Sequence, residues 1–247
     1  MIASLPMYWR AETAAPWRAF WARVQAASPG LDLPGLTPPE DIPQPWTDHW
    51  LRPDLALSMT CGLPFRTALK GRVTYVGTLD FGLGGAAGHY WSQVVAHPGA
   101  DLSAPLRLAF NSADSQSGWA VSQSAPPFDA VPAFGALIET GSHAASLAAV
   151  AGGLADIAYI DAVTWRLLCR HDPNAARVRP VGRSVATPGL PFITASGRDP
   201  APLRAALERA IAATSPADQD RLGGRLSFHL LDPAAYLAVP VPKPPAI

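Results

Sequence analysis

Cysteine is scarce in this sequence. Only Cys61 and Cys169 occur in 247 residues, which excludes a disulfide framework and any metal site of the CxxC type. Charge is also scarce: charged residues make up 15% of the chain, against roughly 25% in an average soluble protein. Because hydrophobic residues reach 49%, the chain is a compact globular one rather than a disordered one. Lys plus Arg (19) balance Asp plus Glu (19), so nothing draws the whole molecule toward nucleic acid or an acidic membrane. The densest basic segment, with Arg170, Arg177, Arg179 and Arg183, is broken by apolar and proline residues and reads as solvated surface. No apolar run reaches 18 residues, so no membrane span is expected. The opening "MIASLPMYW" lacks the basic and apolar regions of an export signal, and a chain without a leader is the expectation there.

Chemistry is missing too. No nucleophile has an evident adjacent base, no metal-ligand cluster stands out, and "GLGGAAG" lacks the pattern of a dinucleotide turn. The expectation is a protein that is not an enzyme and holds neither metal nor cofactor.

What is present is 27 prolines, which suggest many rigid turns, and an alternation of strand and helix patterns. "MIASLPMYW" begins as a strand. In "ETAAPWRAFWARVQAA" the spacing of Trp17, Phe20, Trp21 and Val24 gives a helix with one buried stripe. A proline-rich connection over 29–45 leads to a strand over 55–60, a turn at Cys61-Gly62-Leu63-Pro64, and a strand in "RVTYVGTLDF". Further strands are expected at 90–96, 106–110 and in "FGALIET", with a helix from about Ser117. The clearest unit is "GSHAASLAAVAGGLADIAYID". Ser142 caps a helix that stops at Gly152-Gly153, and Ile157 to Ile160 then forms a buried strand ending at Asp161. Strands in "RVRPVGRS" and "LPFITA" follow, then a helix with Leu203, Leu207 and Ile211 on one face, a short terminal helix, and the extended strap "VPVPKPPAI". The fold class is α/β, with two lobes and a largely parallel sheet.

"NSADSQSGWAVS" sets hydroxyls, an amide and a glycine between a strand and a helix start. The first N–H groups of a helix lack internal partners and carry the positive end of its dipole, which makes such a turn an anion seat. Ser115 and Ser117 add hydroxyls, and Gly118 opens the backbone. The plainer reading of Ser115 is a helix cap. Ser142, His143, Asp161 and Tyr90 also fall at strand ends or helix starts, where ligand sites of open sheets gather.

Four motifs, "SLPMY", "TCGLPF", "NSADSQSGW" and "TGSHAASLAAVAGGLADIAYIDAVTWRLL", occur in an order in which the sequence resembles the phosphate, phosphite and phosphonate-binding solute receptors of ABC importers. The resemblance implies a type II periplasmic-binding-protein fold. Two α/β lobes would be joined by two crossover strands, with residues 1–80 plus 189–247 in lobe one and 81–188 in lobe two. It implies a monomer that clamps a small oxyanion between the lobes and hands it to an ABC permease, working in the periplasm. It further implies that Ser115, Gln116 and Ser117 match the family's oxyanion turn, with Gln116 in place of the usual Thr. His143 would reach the same oxyanion, Tyr90 would be the tyrosine of the entry strand, and Asp161 would meet an amino group or fix the tyrosine network. Ser142 joins this group, and Tyr8 would wall the cleft. Each has a plainer structural role: cap for Asp161, helix start for His143, packing for Tyr90 and Tyr8. Few cations lie near these motifs, so backbone, hydroxyl and imidazole donors would hold the anion. The rival is a cytosolic sensor, or an enzyme similar to pyrimidine or menaquinone precursor synthases, on the same fold.

Overall fold

A computed structural model describes residues 1–246. In chain order its elements are β1 (Ile2–Ser4), α1 (Ala14–Ala26), α2 (Trp46–Trp50), β2 (Leu55–Met59), α3 (Gly62–Arg66), β3 (Val73–Asp80), β4 (His89–Tyr90), β5 (Ser92–Ala96), β6 (Leu106–Phe110), β7 (Phe134–Glu139) and α4 (His143–Ala151). They continue with β8 (Ile157–Asp161), α5 (Ala162–His171), β9 (Arg179–Arg183), β10 (Thr187–Pro188), β11 (Pro191–Ala195), α6 (Ala201–Ala212), α7 (Pro216–Arg221), β12 (Ser227–His229) and α8 (Pro233–Leu237).

The chain divides into two units. Unit one is Met1–His89 with Pro188–Val239, and unit two is Tyr90–Thr187 with the tail from Pro240. The tail therefore groups with unit two, not with the first lobe where the sequence reading put it; the Trp119 indole N–H donates to the Lys243 carbonyl at 2.9 Å and ties it there. β4 and β10 pair as a two-stranded ribbon where the chain passes from one unit to the other and back.

Unit one carries a five-stranded sheet in the order β1-β2-β11-β3-β12, in which β1 and β2 are parallel and the other pairs antiparallel. Trp17, Phe20, Trp21 and Val24 of α1 are all buried, as their spacing predicts. Leu203, Leu207 and Ile211 do the same for α6. The expected turn at Cys61 to Pro64 is instead the start of α3. Pro64 sits in the first turn, where a missing N–H costs the helix no bond.

Unit two carries the order β7-β6-β8-β5-β9. β7, β6 and β8 run parallel, whereas β8 pairs with β5, and β5 with β9, in antiparallel register. The sheet is thus mixed rather than largely parallel, and only its parallel half sends out the polar loops. One face buries Ala158 and Ile160 against Leu147 and Val150 of α4, while the other buries Ile157 and Tyr159 with Phe110 and Trp119, as strand alternation requires. Gly153, at φ +76°, ends the α4 region in a backbone conformation that favours glycine.

Candidate functional site

The three parallel strands of unit two end at Phe110, Glu139 and Asp161, and each end leads directly into one of the loops singled out above. Two of these loops are stitched together: Thr140 N–H donates to the Phe110 carbonyl at 2.9 Å and Gly141 N–H to the Asn111 carbonyl at 2.8 Å. The serine turn and the start of α4 therefore lie at the same end of the sheet, where α/β folds collect ligands.

The turn folds on itself. Ser112 carbonyl accepts the Ser115 N–H, Ser115 carbonyl accepts the N–H groups of Trp119 and Ala120, and Ser115 Oγ accepts the Gly118 N–H at 2.9 Å. The expected helix from Ser117 does not form; the turn runs instead into a short 3₁₀ segment, Ala120–Gln123. Gly118 has a different role from the one first read into it: a Cβ there would overlap Asn111 Oδ1, so the glycine makes room for a side chain of this same loop. Ser115, Gln116 and Ser117 are all buried. Ser92 on β5 donates its hydroxyl to the Ser117 carbonyl at 2.8 Å. Among the described residues the Ser117 N–H has no acceptor.

Opposite this donor stands α4. Ser142 caps it by accepting the Ala145 N–H at 3.1 Å, which leaves the N–H groups of His143 and Ala144 free, as at any helix start. His143 Nε2 lies 2.9 Å from Ser117 Oγ, a contact across 26 residues of sequence. Its Nδ1 is buried without a hydrogen-bond partner. Burial pushes the imidazole pKa down to about 4, which the Tyr159 main chain offsets only in part, so the ring is neutral around pH 7. A hydroxyl beside an imidazole is also the arrangement of a nucleophile and its base. A ring that holds a proton only below about pH 4 is too weak a base for that work near neutrality, and the pair is instead a set of neutral polar groups.

Asp161 caps α5, its Oδ1 accepting the N–H groups of Val163 at 2.8 Å and Thr164 at 3.0 Å. It lies directly opposite Ser92, the serine turn's anchor, in the β5/β8 register. Tyr90 is buried at the start of unit two, two residues before Ser92. Tyr8 belongs to unit one, where its ring packs edge-on against Phe81 at 4.9 Å. Unit two thus brings Ser115, Gln116, Ser117, Ser142 and His143 together, with Asp161 alongside.

Sequence reading missed Ser92, Asn111 and Thr140. Thr140 Oγ1 bonds both the Phe110 carbonyl at 3.0 Å and Ser146 Oγ at 2.7 Å, locking the loop before α4. Spacing does not mark them: Ser92 and Thr140 reach segments distant in sequence, and Asn111 acts inside its own loop by filling the space over Gly118. Among the described residues no group of three His, Cys, Asp or Glu side chains is placed to hold a metal, and no helix is long and apolar enough to cross a membrane.

Comparison with known proteins places this geometry in a lineage. None of the curated proteins matches the chain by sequence. Among solved structures, PhnD1 from Prochlorococcus marinus in complex with methylphosphonate is similar with a TM-score of 0.69 at 14% identity, over 95% of this chain and 94% of that one. A binding protein component of an ABC phosphonate transporter from Pseudomonas aeruginosa is similar with a TM-score of 0.65 at 14% identity, over 92% and 80% of the two chains. A Xanthomonas citri protein bound to chloride ion gives 0.66 at 16% identity, over 95% and 92%. These likenesses show a shared periplasmic-binding-protein fold. The family profile described as "ABC transporter, phosphonate, periplasmic substrate-binding protein" matches residues 84–234, more than half of the chain and the whole of the serine turn and α4. The chain belongs to this family of phosphonate substrate-binding proteins.

Proposed function

We propose that the serine turn and the start of α4 bind a small phosphorus oxyanion of the phosphonate type. The family consists of periplasmic substrate-binding proteins that serve ABC transporters, so a small-molecule ligand and a permease partner follow from membership, and the protein is not an enzyme. The finer reading, which anion and which residues hold it, rests on one observation: the Ser117 and His143 side chains meet at 2.9 Å beside an unused backbone N–H and an open helix start.

The chemistry follows from those donors. Ser117 N–H and the first N–H groups of α4 are fixed before any ligand arrives, so they need no reorganisation to meet an oxyanion. The Ser117 hydroxyl can donate to the anion while accepting from His143, or donate to His143 while the ring's Nε2 accepts. Neutral donors bind by geometry, since the imidazole brings no charge at neutral pH. The methylphosphonate held by the Prochlorococcus marinus neighbour supports a phosphonate as the first ligand to try. Every group of this seat comes from one chain, so a monomer suffices to bind, and the periplasm is the proposed place of work.

Titration calorimetry with methylphosphonate, phosphite, phosphate and sulfate tests this reading. Binding of a phosphorus oxyanion in preference to sulfate, weakened at least tenfold in Ser117→Ala, is the expected result, since a buried hydrogen bond to an anion contributes about 1.5 to 3 kcal/mol. Equal affinity in wild type and Ser117→Ala would remove the turn from the site.

A further inference from the structure

The last residues of the chain follow a pattern of their own. Past α8 the chain leaves unit one at Val239, and from Pro240 it belongs to unit two. Four of the six residues from Pro240 to Pro245 are prolines. Within the segment Pro242 and Pro245, three apart, are half-buried, while Pro240, Val241, Lys243 and Pro244 are exposed. A repeat of three is the period of a polyproline II helix, which shows one face in three to whatever it lies on. Such a segment has no internal hydrogen bonds, and its prolines have no N–H to give, so its carbonyls are its polar handles.

The Lys243 carbonyl accepts the Trp119 indole N–H at 2.9 Å, although the Lys243 side chain itself faces solvent. Trp119 is the residue that closes the serine turn: its own N–H returns to the Ser115 carbonyl, and its ring packs on Phe110 with centroids 5.2 Å apart. On that side the turn runs into a 3₁₀ segment of four residues, tied back by the Ala120 N–H to the Ser115 carbonyl and the Val121 N–H to the Gln116 carbonyl, and Trp119 is the residue that joins the two.

We propose that the proline-rich tail is a positioning strap, which holds the Trp119 indole and thereby keeps the Ser115–Gly118 backbone in its anion-binding shape. The proposal rests on the anion-seat reading above. Trp119 and Lys243 are positioning residues in it; neither touches the anion. The strap suits the task because a polyproline segment is already extended before it docks and loses little conformational freedom in doing so.

The experiment compares wild type, Trp119→Phe, a chain ended after Val239, and the two changes combined. Trp119→Phe keeps an aromatic ring and removes the donor, together with part of the volume of a buried indole. Calorimetry with methylphosphonate should give about a three- to tenfold loss for either single change, the effect of one hydrogen bond. Because both changes cut the same link, the double variant should lose no more than the weaker-binding single one. Adding a synthetic peptide of residues 240–247 should restore affinity to the shortened chain but not to the Trp119→Phe form of it. A merely structural role for the tail would move thermal stability and leave this pattern absent. The strap is observed separately from the ligand by the indole ¹⁵N–¹H resonance of Trp119, assigned by its disappearance in Trp119→Phe, which should move when the tail is removed. If wild type binds no phosphorus oxyanion while the resonance still moves, the anion reading fails and the docked tail stands. If the resonance stays put on truncation, or both single changes leave affinity intact in a protein that binds, the strap is overturned.

Discussion

Each unit contains a histidine bonded through Nε2 to a serine hydroxyl distant in sequence, and the anion seat proposed above gives the two pairs different uses. In unit one His49, on α2, lies 2.7 Å from Ser4 Oγ, which in turn lies 2.8 Å from Ser58 Oγ. In unit two His143 lies 2.9 Å from Ser117 Oγ. Both rings bury an Nδ1 that makes no hydrogen bond, and burial lowers the pKa of both. Side-chain chemistry does not separate them. The backbone does: Ser4 and Ser58 are register partners in the parallel ladder of β1 and β2 and are wholly buried, so that pair rivets a helix onto a sheet. Ser117 sits in a turn with an unused N–H, and His143 opens a nine-residue helix. On the reading proposed above, a polar pair becomes a site when donors near it are left over.

The largest effect should come from breaking the structural pair. His49→Ala removes a ring that is 3% exposed and takes from the buried Ser4 hydroxyl its histidine partner, leaving only the bond to Ser58. It should cost about 3 to 4 kcal/mol of unfolding free energy, from the cavity together with the lost hydrogen bond. Chemical denaturation measures that loss, and anion affinity in the folded fraction should stay at the wild-type value. A matching drop in affinity would mean that the two pairs are not functionally distinct.

His143→Ala should show the reverse balance. Affinity for methylphosphonate should fall roughly tenfold to a hundredfold, the range for a hydrogen bond to a charged group. Stability should fall less than in His49→Ala, because His143 is only half-buried. Equal calorimetric affinity would take His143 out of the site and leave both pairs as structural ones.

Acid should act on both pairs in the same direction. Each ring has a folded pKa below the unfolded value near 6.5, so between the two values the unfolded chain binds more protons than the folded one. Stability is then full at neutral pH and falls as pH drops through the unfolded value, with the His143 contribution exhausted only near pH 4. For His143 the loss should reach about 2 kcal/mol near pH 5. Denaturation curves at pH 7 and near pH 5 measure it, and His143→Gln should remove that share of the acid sensitivity. A Gln variant as acid-sensitive as wild type would mean the ring is not kept neutral by burial.

How much of this was legible in the sequence depends on how far apart the partners are. The α1 stripe of Trp17, Phe20, Trp21 and Val24 and the Ser142 cap of α4 are local patterns, and both stand where the spacing put them. The serine turn was legible as a polar loop after β6, but the helix expected from Ser117 was not formed. The Ser115 carbonyl takes the N–H groups of Trp119 and Ala120, and Asn111 fills the space over Gly118, neither of which a helical period reports. The antiparallel pairing of β5 with β8 and β9 escaped for the same reason: strand direction is decided by connections, and the residues of a buried strand read alike in either sense. The motif resemblance supplied what spacing could not, because it implies that Ser117 and His143 are neighbours, and their side chains lie 2.9 Å apart.

The smallest effect sharpens the comparison at one residue. Ser142 stands next to His143 and was counted among ligand-binding candidates, yet its hydroxyl already accepts the Ala145 N–H at 3.1 Å. A cap and a ligand donor make different demands on that oxygen. As a cap it accepts with its lone pair, and its hydroxyl proton remains free to donate, so the geometry alone permits both roles. Ser142→Ala should cost about 1 kcal/mol of stability for the lost cap. Ser142→Asp keeps the cap, since a carboxylate accepts the same N–H, but has no proton to give and carries a charge that repels an anion. If Ser142 only caps, the alanine variant loses stability and keeps its affinity. If it also donates to the anion, both variants lose affinity and the aspartate loses more while remaining as stable as wild type. The structural pair in unit one offers no such split, because both of its serine hydroxyls are bonded inside the core. Because the charge of Ser142→Asp repels an anion in either case, it is whether Ser142→Ala keeps its affinity that decides how far the leftover donors of unit two extend beyond Ser117.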